Sequence, residues 1–267
     1  MANKDYKVFI VEGEVREPQI IDNISKIFFA HKNYKVITLP AGENIYMLWK
    51  QLNEDDFDTD VIEVLRENNT EVRKQLSGLS RDDFSEVYLF FDYDAHQTNL
   101  GRSVTEDIIP QMLASFDNET ENGKLYISYP MVEALRDFAP GKCGGGSDCF
   151  VDVKEFGDYK NTSALRAFNP HFKEYDIDVW REIIDIFVMR LTCLCEEISA
   201  ITYEKYVEKI TPNEIYNAER KTAEYERIFV LSAFPEFLID YFGVRLWKTS
   251  VKHTRIQKIK NQCVKRI

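Results

Sequence analysis

Two apolar runs decide the fold: YKVFIV at residues 6–11 and VYLFF at residues 87–91, each followed directly by acidic residues. Neither run alternates polar with apolar residues, so both predict strands that are buried on both faces of a parallel sheet. Glu12 follows the first run, and Asp92 and Asp94 follow the second. Because open α/β sheets bind ligands beyond the carboxyl ends of their strands, we expect these three carboxylates to meet at one edge.

This acidic edge is suited to a divalent cation. Clustered carboxylates repel one another unless a cation lies between them, and hard oxygen ligands favour Mg²⁺ or Mn²⁺. Glu12 is a candidate metal ligand or general base, and Asp92 and Asp94 are candidate metal ligands. His96, two residues beyond Asp94, is a candidate general acid or phosphate contact. Acidic residues at strand ends are also common as helix caps and solvated loop residues, and such a histidine is also common in loops.

The first 140 residues alternate between strand-like and helix-like segments. Apolar spacing and turn residues predict strands at 6–11, 34–39, 86–92 and 125–128, and helices at 18–30, 43–53, 58–77, 104–116 and 130–138. This order predicts an α/β fold with a mostly parallel four-stranded sheet and flanking helices. We place a catalytic domain at 1–140, with residues 43–80 as a helical insertion.

After Pro140 the pattern changes. Residues 141–160 contain the only glycine-rich stretch, which does not match the phosphate-binding pattern G-x-x-x-x-G-K-[ST] and is predicted to be a loop. Residues 161–267 are predicted to be an all-helical region, with helices at 178–199, 203–210, 212–228, 229–243 and 245–262. Thr211 is the expected cap of the third of these helices. Trp180, Phe187, Met189 and Leu191 have the spacing of a buried helix face.

Composition limits the class of protein. The chain has 267 residues, 44% of them hydrophobic, a net charge of −11 and five irregularly spaced cysteines. Such a chain is expected to fold, without a disulfide framework. Cys193 and Cys195 are more typical of structural thiols than of a zinc site. No apolar stretch approaches the roughly 18 residues of a membrane span, and no leader segment is evident, so we expect a cytoplasmic protein with no membrane contact.

The last stretch is basic although the chain as a whole is acidic. Lys252, Arg255 and Lys258 are among its cations, and no acidic residue follows Asp240. A basic tail can neutralise phosphates, which makes these three residues candidate substrate contacts. An equally good interpretation is a solvated helix, or an interface with the acidic half of the chain, which would include pairing between protomers of a homo-oligomer.

The two acidic motifs together resemble those of the Toprim domain. An apolar strand ending in Glu12-Gly13 and, about eighty residues later, a second ending in Asp92-Tyr93-Asp94 match its order and spacing over roughly residues 6–138. The residues around Glu12 look most like those of small stand-alone Toprim proteins of bacterial defence, such as RloB-like proteins and the Toprim effector of the PARIS anti-phage system. The resemblance implies that Glu12, Asp92 and Asp94 bind metal, and that Glu17 matches a second acidic ligand of the nuclease branch. Glu17 could instead complement the helix dipole.

The resemblance implies a Mg²⁺- or Mn²⁺-dependent nuclease that cleaves DNA or RNA. Two divalent ions roughly 4 Å apart can activate water and stabilise the leaving oxygen of a phosphodiester. Gly13 would allow a tight turn and close approach of phosphate. The chain has no Walker motif, so control by ATP would require a partner ATPase.

The alternative function is that of a non-catalytic Toprim-like subunit of a defence complex. A haloacid-type phosphatase fits poorly, because its Asp-x-Asp usually ends the first strand.

Overall fold

A computed structural model describes residues 6–30, 34–93, 108–138, 149–166, 171–195, 202–223 and 226–252. These residues form two compact units. The first unit contains the described residues up to Asp92 together with 108–126, and the second contains Tyr93 with those from Ile127 onward. Glu12, Glu17 and Asp92 all belong to the first unit.

The first unit is built on a mixed sheet with helices between its strands. The described elements, in chain order, are β1 Tyr6–Val11, α1 Arg16–Ile24, β2 Lys35–Pro40, α2 Ile45–Glu54, α3 Val61–Asn68, α4 Thr70–Gln75, β3 Phe84–Asp92, α5 Ile109–Ser115, β4 Asp117–Asn118 and β5 Gly123–Ser128. A π-helical turn, Ser25–Phe29, extends α1. The strand order is β2-β1-β3-β5-β4. The α/β class and the mostly parallel sheet are therefore confirmed.

Strand β1 lies between β2 and β3 and runs parallel to both. Residues Val8–Val11 are completely buried, as the apolar run predicted. Val11 lies opposite Pro40 of β2 and Phe90 of β3, so the three strands finish at the same edge. The residues that follow β1, β2 and β3 are thereby brought to one rim.

The sheet has five strands among the described residues, one more than the four predicted. The additional strand, β4, has only two residues and pairs antiparallel with the start of β5. The sequence showed turn signals here, and a two-residue strand is too short to show periodicity. The predicted helix 58–77 is also divided, because Asn69 ends α3 and its side chain accepts the N–H groups of Glu71 and Val72 to begin α4.

The second unit is mainly helical. Its elements are β6 Phe150–Asp152, α6 Phe156–Arg166, α7 Ile177–Leu194, α8 Tyr203–Lys209, α9 Pro212–Ala223, β7 Arg227–Phe229 and α10 Ala233–Ser250. A 3₁₀ segment, Val132–Asp137, replaces the helix predicted there. Helix α7 packs against α10, and the side chains predicted to form its buried face are at most 3% exposed: Trp180, Phe187, Met189 and Leu191. The predicted cap is confirmed, since the Thr211 hydroxyl accepts the N–H of Glu214.

The predictions of a loop at 141–160 and of an all-helical remainder need correction. Residues 150–152 and 227–229 form a two-stranded antiparallel ribbon, β6 with β7. Each strand has three residues, too few for a periodic pattern, and strand β7 interrupts what was predicted as helix 212–228. Farther on, α10 continues through Gly243, whose positive φ of 64° kinks the helix at the predicted break. Within the described part of the chain, no helix has the length and apolar character needed to cross a bilayer.

Candidate functional site

Glu12 joins the ends of the two central strands. Its N–H donates to the carbonyl oxygen of Phe90 (3.3 Å), which extends the pairing of β1 with β3 by one residue. Its carboxylate Oε2 in turn accepts the N–H of Asp92 (3.2 Å). The structure therefore brings the predicted residues Glu12 and Asp92 together at the carboxyl ends of neighbouring parallel strands. Both are only partly buried.

Glu17 lies in the first turn of α1 and points back toward the loop that precedes the helix. The residue is 7% exposed, and its Oε1 accepts the N–H of Gly13 (3.1 Å). A carboxylate in this position also complements the positive end of the helix dipole. Glu14, in the same loop, is exposed.

Gly13 closely approaches the Glu17 carboxylate, and its backbone conformation does not itself require glycine. Its φ lies outside the left-handed region, but an added Cβ would be 2.7 Å from Oε2 and 2.9 Å from Oε1 of Glu17. Such distances are shorter than van der Waals contact, so any side chain here would displace the carboxylate.

Several predicted site residues lie outside the described part of the chain: Asp94, His96, Arg255 and Lys258. Lys252, the remaining candidate substrate contact, belongs to the second unit, where its Nζ is 2.7 Å from Glu182 Oε2. The backbone N–H of Lys252 also donates to Asp185 Oδ1 (2.6 Å). Lys252 thus pairs with an acidic residue of its own unit.

The rim offers carboxylate oxygens, which are the metal ligands that Mg²⁺ and Mn²⁺ prefer. Among the residues that the structure describes, no group of three or more His, Cys, Asp or Glu side chains is arranged to hold a metal ion. Glu12 and Asp92 would hold the ion if a further ligand joined them. The sequence predicts Asp94 to be that ligand, and Asp94 lies outside the described residues.

Glu43 is a rim carboxyl that the sequence analysis missed. It follows β2 closely, where the N–H of Ala41 donates to Val11 O (2.8 Å) and keeps the chain beside β1. Gln51 Nε2 lies 3.3 and 3.4 Å from the two Glu43 oxygens, and Asn68 donates to Gln51 Oε1 (2.7 Å). Burial raises the pKa of the Glu43 carboxyl, and the Gln51 hydrogen bonds partly offset this. The sequence Pro40-Ala41-Gly42 marked the end of this strand, just before Glu43. The sequence did not reveal that β2 adjoins β1, so Glu43 was not predicted to lie at the rim.

Two further residues, Ser128 at the end of β5 and Glu133 beyond it, are buried in the second unit. The buried Ser128 hydroxyl accepts the N–H of Ala233 at the start of α10 (3.3 Å), and Glu133 is 2% exposed. Their burial makes direct contact with a polymeric substrate unfavourable.

Comparisons with protein-family models, with curated proteins and with solved structures found no match to this chain.

Proposed function

We propose that this chain is a divalent-metal-dependent nuclease that hydrolyses phosphodiester bonds of DNA or RNA at the rim formed by Glu12 and Asp92. The single observation that carries the proposal is the Glu12 carboxylate accepting the Asp92 N–H at 3.2 Å. This contact lies at the carboxyl ends of adjacent parallel strands, where open α/β sheets bind their ligands. The order and spacing of Glu12, Asp92 and Asp94 support the same proposal.

The residues at the rim would act through their charge and position. Glu12 and Asp92 supply carboxylate oxygens that hold Mg²⁺ or Mn²⁺, with Asp94 as the proposed third ligand. When bound, such an ion neutralises phosphate charge and lowers the pKa of a coordinated water. In place of metal ligation, Glu12 could accept a proton from the attacking water; His96 would protonate the leaving oxygen.

The proposed biological role is that of a toxic effector in antiviral defence, controlled by a partner ATPase. It rests on the resemblance to small Toprim effectors and on the absence of a Walker motif in this chain. A nuclease that acts on its own cell must be held inactive until a trigger arrives. We therefore expect full nuclease activity either when the partner ATPase activates this chain or when the partner releases it.

A non-catalytic assembly subunit is the second candidate function. It is favoured by two observations on the described residues: they hold no three-ligand group, and oxygens of Glu12 and Glu17 already accept backbone N–H groups. In that case the carboxylates would serve to shape the rim. The two functions differ in whether the charge of Glu12 and Asp92 is needed, which a substitution to the amide tests directly.

The decisive experiment compares wild type with Glu12→Gln and Asp92→Asn, which change charge but little shape. Glu14→Gln, an exposed residue of the same loop, is the matched control. Each protein is expressed with and without any ATPase that is encoded beside its gene. Total DNA and RNA are examined on gels, and the purified chains are assayed with Mg²⁺, Mn²⁺ or EDTA. The proposal expects metal-dependent fragments from wild type and Glu14→Gln alone. Equal cleavage, or equal inertness under every condition, would favour the assembly subunit.

A further inference from the structure

We propose that Glu17 is a positioning residue that fixes the Glu12 carboxylate by holding the N–H of Gly13. The importance of this role for catalysis rests on the proposed function, whereas the role itself is a statement about the loop between β1 and α1. It assigns Glu17 a task other than the metal ligation implied by sequence resemblance. The loop is short, and the exposed Glu14 within it contrasts with the buried Glu17 in the first turn of α1.

The hydrogen bonds around Glu12 show how the effect is transmitted. The peptide plane before the Glu12 Cα is anchored by its N–H to Phe90 O (3.3 Å), and the plane after it by the Gly13 N–H to Glu17 Oε1 (3.1 Å). Because peptide units are planar, anchoring both units restricts both φ and ψ of Glu12. The direction in which its side chain leaves the backbone is then set, and Oε2 meets the Asp92 N–H.

The burial of Glu17 indicates that its hydrogen bond with Gly13 is an integral part of the fold. A glutamate in the first turn of a helix usually remains solvated, yet Glu17 is 7% exposed and both of its oxygens pack against Gly13. A buried carboxylate requires a hydrogen-bond donor, and the Gly13 N–H provides one. Only glycine leaves room for the carboxylate at that distance. The pair Gly13 and Glu17 therefore works as a single clasp on the loop.

Amide hydrogen exchange measured by NMR tests the clasp without any assay of activity. The variants are Glu17→Gln, which keeps an oxygen acceptor, Glu17→Ala, which removes it, and the control Glu14→Gln. The informative amides are those of Gly13, which the clasp holds, and of Asp92, which reports the position of the Glu12 carboxylate. The amide of Ile10, completely buried in β1, reports global stability.

We expect Glu17→Ala to speed exchange at both Gly13 and Asp92 by about tenfold, the effect of losing one charge-assisted hydrogen bond. Exchange at Ile10 should stay unchanged, Glu17→Gln should restore most of the protection, and Glu14→Gln should match wild type. Unchanged exchange at Asp92 in Glu17→Ala would overturn the proposal, since Glu12 would then be held without Glu17. Equal acceleration at Ile10 would overturn it as well, because it would indicate only a loss of stability.

A titration with Mn²⁺, followed by electron paramagnetic resonance, separates positioning from direct ligation. A positioning residue predicts a loss of affinity of about tenfold in Glu17→Ala, as for groups that orient metal ligands, with most of the affinity kept in Glu17→Gln. Equal losses in the two variants would overturn the proposal in favour of a direct ligand. If wild type binds no Mn²⁺, the proposed function fails, while the exchange rates still decide the role of Glu17.

Discussion

Two carboxyl groups, one in each unit, accept a backbone N–H in nearly the same way but in opposite environments. In the first unit, Glu12 accepts the N–H of Asp92 at 3.2 Å and is only partly buried. In the second unit, Glu219 of α9 accepts the N–H of Phe229 in β7 at 2.9 Å and is 1% exposed. Hydrogen bonding alone therefore does not distinguish a reactive carboxyl from a structural one. Access to solvent and ligands distinguishes them.

Burial gives Glu219 a structural role and disfavours its charged form. Loss of hydration raises the pKa of its carboxyl well above the ordinary value, and the hydrogen bonds from Phe229 and Thr222 offset only part of this. The completely buried Arg190 also has a structural role, because it donates to the carbonyl oxygens of Val230 and Asp137, each at 2.7 Å. Polar groups of the second unit thus join elements of the fold, whereas those of the rim remain accessible.

The largest expected effect is on activity at the rim. Asp92→Asn should lower the rate of nucleic-acid cleavage by on the order of a thousandfold, the range found when a group that stabilises transition-state charge is removed. The melting temperature should change little, since an amide preserves the shape of a partly exposed side chain. Single-turnover cleavage and a thermal melt of the same sample measure the two effects. A normal rate in Asp92→Asn would remove the distinction drawn between the rim and Glu219.

The next effect is on stability in the second unit. Arg190→Met should lower the free energy of unfolding by about 3 kcal/mol, because it leaves two buried carbonyl groups without their donor. Chemical denaturation provides the measurement. Arg181→Met is the matched control on the same helix, where the side chain is 39% exposed and pairs with Asp178. Its expected cost is below about 1 kcal/mol, and equal costs for the two would contradict a special role for Arg190.

A smaller effect concerns pH. The unfolded Glu219 carboxyl loses its proton near its ordinary pKa of 4.5, whereas the folded protein retains it to higher pH. The unfolded state then binds fewer protons, so this group lowers stability as pH rises from 4.5 toward the folded pKa, by at most about 1.4 kcal/mol per pH unit. Glu219→Gln should remove this decline and be more stable than wild type at neutral pH.

Melting temperatures of wild type and Glu219→Gln at a series of pH values from 4.5 upward measure this decline. The exposed Glu208→Gln in α8 is the control and should follow the wild-type curve. Parallel curves for wild type and Glu219→Gln would mean that the carboxyl is ionised in the folded protein.

The smallest expected effect is at Lys252. Its ammonium pairs with Glu182 across a half-exposed contact, so Lys252→Met should cost less than about 1 kcal/mol of stability. We also expect unchanged affinity for nucleic acid, because this cation is already engaged by a carboxylate. Fluorescence anisotropy with single-stranded DNA and RNA at several salt concentrations measures it, with Arg255→Met for comparison. If Lys252→Met instead reduces the slope of log binding constant against log salt concentration by about one, Lys252 contacts a phosphate of the nucleic acid.

The strand framework and part of the rim could be predicted from sequence, because long buried strands leave a clear signal. Four consecutive apolar residues precede Glu12 (residues 8–11) and five precede Asp92 (residues 87–91), and both runs lie in interior strands of the sheet. The strands β4, β6 and β7 were missed because two or three residues carry no period. Their pairing depends on residues distant in the chain, as for Phe150 with Phe229.

The missed carboxyl groups have a similar explanation. Glu43 lies at the rim only because β2 adjoins β1, and strand order is not encoded by any local pattern. Glu219 reads in sequence as an ordinary polar position of a helix, yet the fold places it against β7 with its carboxyl sealed from water. Periodicity identifies apolar faces well, but it does not identify a polar residue that the tertiary structure buries.

The most direct test of the account is Mn²⁺ binding by the purified chain, compared between Glu12→Gln and Glu219→Gln. Each variant replaces one carboxyl that accepts a backbone N–H, the first at the rim and the second in the sealed interior. The account predicts that Glu12→Gln abolishes high-affinity binding while Glu219→Gln binds as wild type does. Undiminished binding in Glu12→Gln would contradict a metal site at this rim.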